Sequence, residues 1–251
     1  MVLLLLVDLD ADLAALRPLG GFFLLRTAAP PRSTLPTLAR AYGIEKSDVY
    51  EESVTFRVQK VADTLRVSEP RVAASIAQQG LAARLWSAAL GCAVLYGHVP
   101  DLDARLLHWD PDGSAPDDLW LTEVRPLPGD AGTLAAVVLE GHLEPLAAAL
   151  RARYRLAPGL LRGNAASALA GAARQLEGWA RAHARPEAAA RTRARTAELL
   201  AHPLLAGAGT LTGAAFRRRS CCLYYRVPGG GVCGDCCFAR PPRSSPRAAS
   251  G

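Results

Sequence analysis

The sequence predicts a mainly α fold with one small β hairpin, an α+β arrangement in which a helical body precedes a cysteine-rich C-terminal segment. Three observations predict it. Long alanine- and leucine-rich stretches repeat their apolar residues at the three- and four-residue spacing that gathers them on one helical face. Strand-like runs are few and short, and they flank a turn-rich loop. Half of the 251 residues are hydrophobic, which supplies a sizeable core for one large domain or two small ones.

In chain order, "MVLLLLVDLDADLAALRP" opens on an apolar run, but no cation precedes it and Asp8 and Asp10 interrupt it. It reads as neither an export signal nor a membrane span. "GGFFLLRT" stops at Arg26, and no other stretch approaches the roughly 20 apolar residues of a spanning helix. We therefore expect a cytoplasmic chain with no stable membrane insertion. Prolines in "AAPPRSTLP", residues 28–36, mark a surface loop after a helical opening. Residues 1–67 form an N-terminal segment, and residues 68–210 the mainly helical body.

That body begins with Ser68 as a capping serine and Pro70 in the first turn. Leu81, Leu85, Ala88, Ala89 and Cys92 then share one face, giving one buried helix or two broken at Gly80. "RLLHW" (105–109) and "LWLTEV" (119–124) bracket "DPDGSAPDD" and form the hairpin. "TLAAVVLE" fits a third strand or a helix start. "HLEPLAAALRARYRL", "GLLRGNAASALAGAARQLEGWARAHA" and "PEAAARTRARTAELLAH" are three helices, the last opened by Pro186 and Glu187. "GAGTLTG" (207–213) lacks the spacing of a dinucleotide loop and reads as a helix-ending loop. Residues 211–238 hold five of the six cysteines, and residues 239–251 lack apolar content and read as a disordered tail.

The formal charge of +6 is carried almost wholly by arginine, with Lys46 and Lys60 the two lysines. The arginines are spread along the chain, often beside acids, which describes solvated helical faces rather than a nucleic-acid footprint. The five histidines lack metal-ligand spacing, no serine nucleophile motif is present, and Cys92 reads as a small buried hydrophobe.

Chemistry concentrates in "RRRSCCLYYRVPGGGVCGDCCF", residues 217–238, which holds five of the six cysteines. Disulfides suit an exported chain, and a redox C-x-x-C of thioredoxin type would follow a strand in a βαβ unit; here the motif follows "PGGG". Structural zinc remains open, but zinc sites usually separate paired ligands by roughly two to four residues, whereas Cys221 and Cys222 are adjacent. A two-iron cluster accepts thiolates on separate irons, so the spacing favours it. Two ferric ions, two sulfides and four thiolates sum to a dianion, a trianion on reduction. Arg217, Arg218, Arg219 and Arg226 either offset that charge or are merely solvated. Leu223, Tyr224, Tyr225 and Phe238 either screen the site from water or are plain core.

The register C-C-x10-C-x-x-C in "RRSCCLYYRVPGGGVCGDC" resembles the carboxy-terminal signature of the FhuF family of ferric-siderophore reductases. The close likeness runs from Phe216 to Cys236; a weaker one extends upstream through "EPRVAASIAQQGLAARLWSAAL", "VPDLDARLLHW" and "GNAASALAGAARQL". Two departures stand out: Arg162 occupies a position where tryptophan is expected, and Cys237 is an additional thiol. The resemblance implies a 2Fe-2S cluster held by Cys221, Cys222, Cys233 and Cys236, with no catalytic residue beyond the cluster. It implies an oxidoreductase that passes one electron to a ferric siderophore, hydroxamate chelates suiting it best. No flavin or nicotinamide site is visible, so the electron donor is external, such as a ferredoxin or reductase. An iron–sulfur carrier or sensor without a siderophore step, or a zinc-stabilised binding module, are the alternatives.

Overall fold

The computed structural model of the chain describes residues 9–242 except 11, 29, 31–34 and 46–51. The opening apolar run and most of the C-terminal tail lie outside the described residues. A 3-10 turn at Ala14–Leu19 buries Leu16 and Leu19 and leads to α1 (Leu38–Ala41), where the Thr37 hydroxyl accepts the Arg40 N–H at 3.3 Å. Helix α2 (Ser53–Leu65) lies within the stretch read as an N-terminal segment. It turns Val54, Val58 and Ala62 inward and ends on Arg66 in the left-handed region.

Helix α3 (Pro70–Leu95) is the central element. It is continuous through Gly80, the first of the two expected arrangements, and it starts at Glu69 without a side-chain cap, which corrects the expected Ser68 cap. Buried side chains on nearly every turn explain the continuity: packing outweighs the roughly 1 kcal/mol propensity cost of a glycine. Gly91 is a glycine for a different reason, because a Cβ there would sit 2.9 Å from both the Leu16 and Phe23 side chains.

Strand β1 (His98–Pro100) follows, then the predicted hairpin as β2 (Leu107–Trp109) and β3 (Leu119–Leu121), antiparallel with His108 opposite Trp120. Strand β4 (Pro126–Pro128) pairs antiparallel with β1, an addition the sequence did not reveal. The buried pair Arg84–Asp118, at 2.9 Å, ties α3 to the hairpin loop. "TLAAVVLE" proves helical. Helix α4 (Ala131–Leu134) runs into a π-helical stretch at Ala135–Leu143 and on into α5 (Glu144–Tyr154). By length and composition Ala131–Tyr154 reaches the range of a membrane span, which the sequence reading had not anticipated. Its inward face, including Leu134, Val138, Leu139, Leu143, Leu146 and Leu150, belongs to the protein core.

Helix α6 (Pro158–Ala182) packs along α3, the most extensive pairing in the fold, and α7 (Pro186–Leu200) packs on α6. Residues 207–213, read as a loop, instead contain β5 (Gly209–Thr212), which pairs antiparallel with β6 (Ala215–Arg218). Alternating burial along β6 turns Phe216 and Arg218 inward. The architecture is mainly α with small β hairpins, and β6 delivers the chain directly into the cysteine segment.

Candidate metal centre

The cysteine segment is fastened to α3 and α6 by buried polar side chains. Ser75 on α3 donates its hydroxyl to the Cys222 carbonyl at 2.8 Å. Asn164 on α6 donates to the Ser75 carbonyl at 2.9 Å and to its hydroxyl oxygen at 3.1 Å. Ser220 donates to the Gly159 carbonyl at 2.7 Å, and it approaches α6 so closely that a Cβ on Gly163 would stand 2.2 Å from its hydroxyl. On the other arm, the Arg218 N–H donates to the Asp235 carbonyl at 2.9 Å. The buried Asp235 carboxylate accepts from Ser167 at 2.6 Å and pairs with Arg174 at 3.0 Å. Arg226 bridges to Glu69 at 2.7 Å; burial works against that carboxylate, but Arg226 and Arg71 together hold it below the usual range. Val227 packs on Val67 and Val72. The segment is therefore part of the folded body.

All six cysteines are free thiols. Cys92 is buried in α3, where burial pushes its thiol well up, so it behaves as a core residue. The other five form one group. Cys222 and Cys233 have sulfurs 3.4 Å apart, and Cys221 feels the charges of Cys222, Cys237 and Cys236. The hydrogen bond from Cys233 lowers Cys222 to about 6 and raises Cys233 in return; burial pushes Cys221 up. Among the described residues no three His, Cys, Asp or Glu side chains converge as a single ion requires. A dinuclear cluster asks for something else, thiolates in pairs on two irons.

One backbone pattern separates four thiols from the fifth. Cys221 sulfur accepts the N–H of Leu223 at 3.2 Å, and Cys236 sulfur that of Phe238 at 3.4 Å. The N–H of Tyr224 adds to the lowering of Cys222 that the Cys233 hydrogen bond causes, and the N–H of Asp235 opposes the rise of Cys233. Each of the four thus meets the amide two residues ahead, the kind of donor that stabilises cluster thiolates. For Cys237 no such bond from the amide two residues ahead is found among the described residues; its own amide and the Cys236 side chain are the hydrogen-bonding groups that act on it.

The arginine run divides in the same way. Arg217, Arg219 and Arg226 are exposed, but Arg218 is 2% exposed. Its guanidinium donates to Ser220 carbonyl at 3.1 Å, Leu160 carbonyl at 3.3 Å, Gln79 amide oxygen at 3.4 Å and, very closely, Asn164 amide oxygen. These acceptors are all neutral, and no carboxylate lies within ion-pair reach among the described residues. A buried cation without a counter-charge is costly by several kcal/mol. Its field adds to the lowering of Cys222 and opposes the rise that hydrogen bonding and burial impose on Cys233 and that burial imposes on Cys237, so the compensating anion belongs at the thiolates. A cluster of net charge −2 supplies it, and on that ground the residues present fit the group.

These features define a candidate iron–sulfur segment. Residues 218–238 match the family model of the FhuF 2Fe-2S C-terminal domain, a short C-terminal part of the chain, and the cofactor of that domain is a 2Fe-2S cluster. Cys221, Cys222, Cys233, Cys236 and Cys237 all fit its motif. No curated protein matches the chain.

Sequence reasoning identified the five thiols but not Ser75, Asn164, Ser167 or Asp235. Asp235 had one visible signal, being the sole acid in residues 211–240. The aromatic side chains also differ from expectation: Tyr224 and Phe238 are each 38% exposed, and Phe216, Cys222 and Val227 provide the burial instead. A cleft of about 220 Å3 opens near the anchors, with Leu139, Leu143 and Leu161 on its floor and Arg151 and Arg162 at its rim. Gln78 lines this cleft while its neighbour Gln79 holds Arg218, so one stretch of α3 serves both places.

Proposed function

We propose that the protein is a ferric-siderophore reductase whose 2Fe-2S cluster is held by Cys221, Cys222, Cys233 and Cys236. The observation that carries the reading is the set of four thiols, each facing the amide two residues ahead, over a buried and otherwise uncompensated Arg218. When bound, the cluster supplies one electron at a time. Hard oxygen ligands bind ferric far more tightly than ferrous iron, so adding one electron to the chelated ion releases it.

The chain's own residues do three things. Ser75, Asn164, Ser167 and Asp235 fix the two cysteine arms on α3 and α6, so that little rearrangement accompanies a change in cluster charge. Arg218 stabilises the more negative reduced state by its buried charge. Arg151 and Arg162 offer cations to an anionic arm of a chelate at the cleft rim, with an apolar floor for its methylenes. Arg162 stands where the family likeness leads one to expect tryptophan, so this cleft recognises charge where an aromatic side chain would stack.

The test is anaerobic single turnover. Photoreduced protein mixed with a ferric hydroxamate siderophore and a ferrous-specific chelator should form the ferrous complex at the rate at which the cluster reoxidises. A cluster that stays reduced against hydroxamate, catecholate and citrate chelates would replace this reading with an electron carrier or sensor.

A further inference from the structure

The cluster must receive electrons as well as deliver them, and the surface over the cysteines has a distinct chemistry. Arg217 donates to the Cys237 carbonyl at 3.3 Å. Phe238, next in the chain, meets Tyr225 edge to face at 6.2 Å. Arg226 lies over the Tyr225 ring at 5.6 Å and donates to its hydroxyl at 3.1 Å. A continuous strip therefore runs Arg217, Cys237, Phe238, Tyr225, Arg226, crossing both arms of the cysteine segment. Phe238, and Tyr224 next to Tyr225 in the chain, keep 38% of their surface exposed, although each has apolar area to bury.

Charge in the chain segments that form and flank the strip is one-sided. Arg217, Arg219, Arg226 and Arg240 are exposed, whereas the sole acid of residues 211–240, Asp235, is buried and paired with Arg174. Glu69 borders the strip, but Arg71 as well as Arg226 neutralises it. Elsewhere the arginines mostly meet carboxylates, as Arg26 does Asp117 and Arg185 does Glu187. The exposed cations here outnumber what the cluster's own charge balances.

We infer that this strip is the docking surface for an acidic one-electron carrier protein, which reduces the cluster beneath it. The carrier loses one electron and the cluster gains it; no bond is made or broken and no proton need move. A small patch with an aromatic centre and a cationic rim suits such a partner, because electron-transfer encounters are brief and bury under about 1,200 Å2, and charge complementarity gives them their on-rate. The inference rests on the cluster and not on the siderophore reading, and it stands whatever the final electron acceptor is.

The probe is an acidic plant-type ferredoxin, with basic cytochrome c as the opposite-charge control. Binding to the cluster-loaded protein is measured at about 20 and about 300 mM salt, where screening differs strongly. Ferredoxin should bind at low salt and weaken at high salt. Arg217→Glu/Arg240→Glu should weaken it about tenfold or more at low salt, as should Phe238→Ser. The variants' visible spectra and reduction by dithionite should match the unaltered protein, which separates lost docking from a lost cluster. Arg153→Glu, an exposed arginine on α5, should bind as the unaltered protein does. The inference is overturned if charge reversal leaves ferredoxin affinity unchanged, if cytochrome c binds as tightly, or if duplex DNA binds the strip more tightly than ferredoxin.

Discussion

Replacing Arg218 by glutamine removes one positive charge from beneath the cluster while keeping a hydrogen-bonding side chain. The guanidinium bonds the carbonyl of Ser220, two residues before Cys222, so with ~3.8 Å per residue the charge lies on the order of 10 Å from that thiolate. At an effective dielectric of about 20, a unit charge at that distance favours each added electron by about 1.7 kcal/mol. For a one-electron couple this is a fall in reduction potential of roughly 70 mV on losing the cation. The assay is a redox titration followed by visible absorbance and electron paramagnetic resonance, with iron and sulfide measured per chain. Arg218→Lys should stay near the unaltered potential, since it keeps the charge and loses only the forked hydrogen bonds. Equal potentials in the glutamine variant and the unaltered protein, with iron intact, would refute the electrostatic role. So would a lysine variant shifted as far as the glutamine one.

Serine substitutions test the ligand set. Cys221→Ser, Cys222→Ser and Cys233→Ser should abolish or grossly alter the visible spectrum, Cys236→Ser should retain a weaker, shifted cluster through Cys237, and Cys237→Ser and Cys92→Ser should keep colour and iron. A cluster lost in Cys237→Ser yet kept in Cys222→Ser would overturn the assignment. Folding stability should depend on pH through His142, which is fully buried between Tyr42, at 3.1 Å, and the Leu102 carbonyl, at 2.5 Å. Burial lowers it from 6.5 to about 4, so the unfolded chain takes up a proton first as the pH falls. The neutral ring's contribution is complete above pH 6.5 and is lost toward pH 4, by about 3 kcal/mol in all. Melting temperatures of His142→Gln and the unaltered protein should therefore differ most at pH 7 and converge toward pH 5; a constant difference would exclude the titration.

The sequence by itself determined the local features. Helical spacing of apolar residues predicted α3, α6 and α7, because a stripe on one face is a property of neighbours a turn apart. The turn residues between "RLLHW" and "LWLTEV" predicted the β2–β3 hairpin for the same reason. The five clustered thiols and their register were legible directly, since a C-C-x10-C-x-x-C spacing is written along the chain. Tertiary structure decided what depends on partners distant in sequence. "TLAAVVLE" had no periodicity to choose helix over strand, and packing of its inward face settled it as a helix with a π stretch. Strands β1 and β4 are three residues each and exist only because they pair with one another. The arginine run shows the principle most plainly: Arg217, Arg218 and Arg219 are identical letters in a row. The strand period of two turns Arg218 alone inward, and Asn164, Leu160 and Gln79, brought from α6 and α3, give its guanidinium neutral partners in a dry site. A charge acquires its energy from its surroundings, and the surroundings of Arg218 are assembled from residues 54 to 139 positions away.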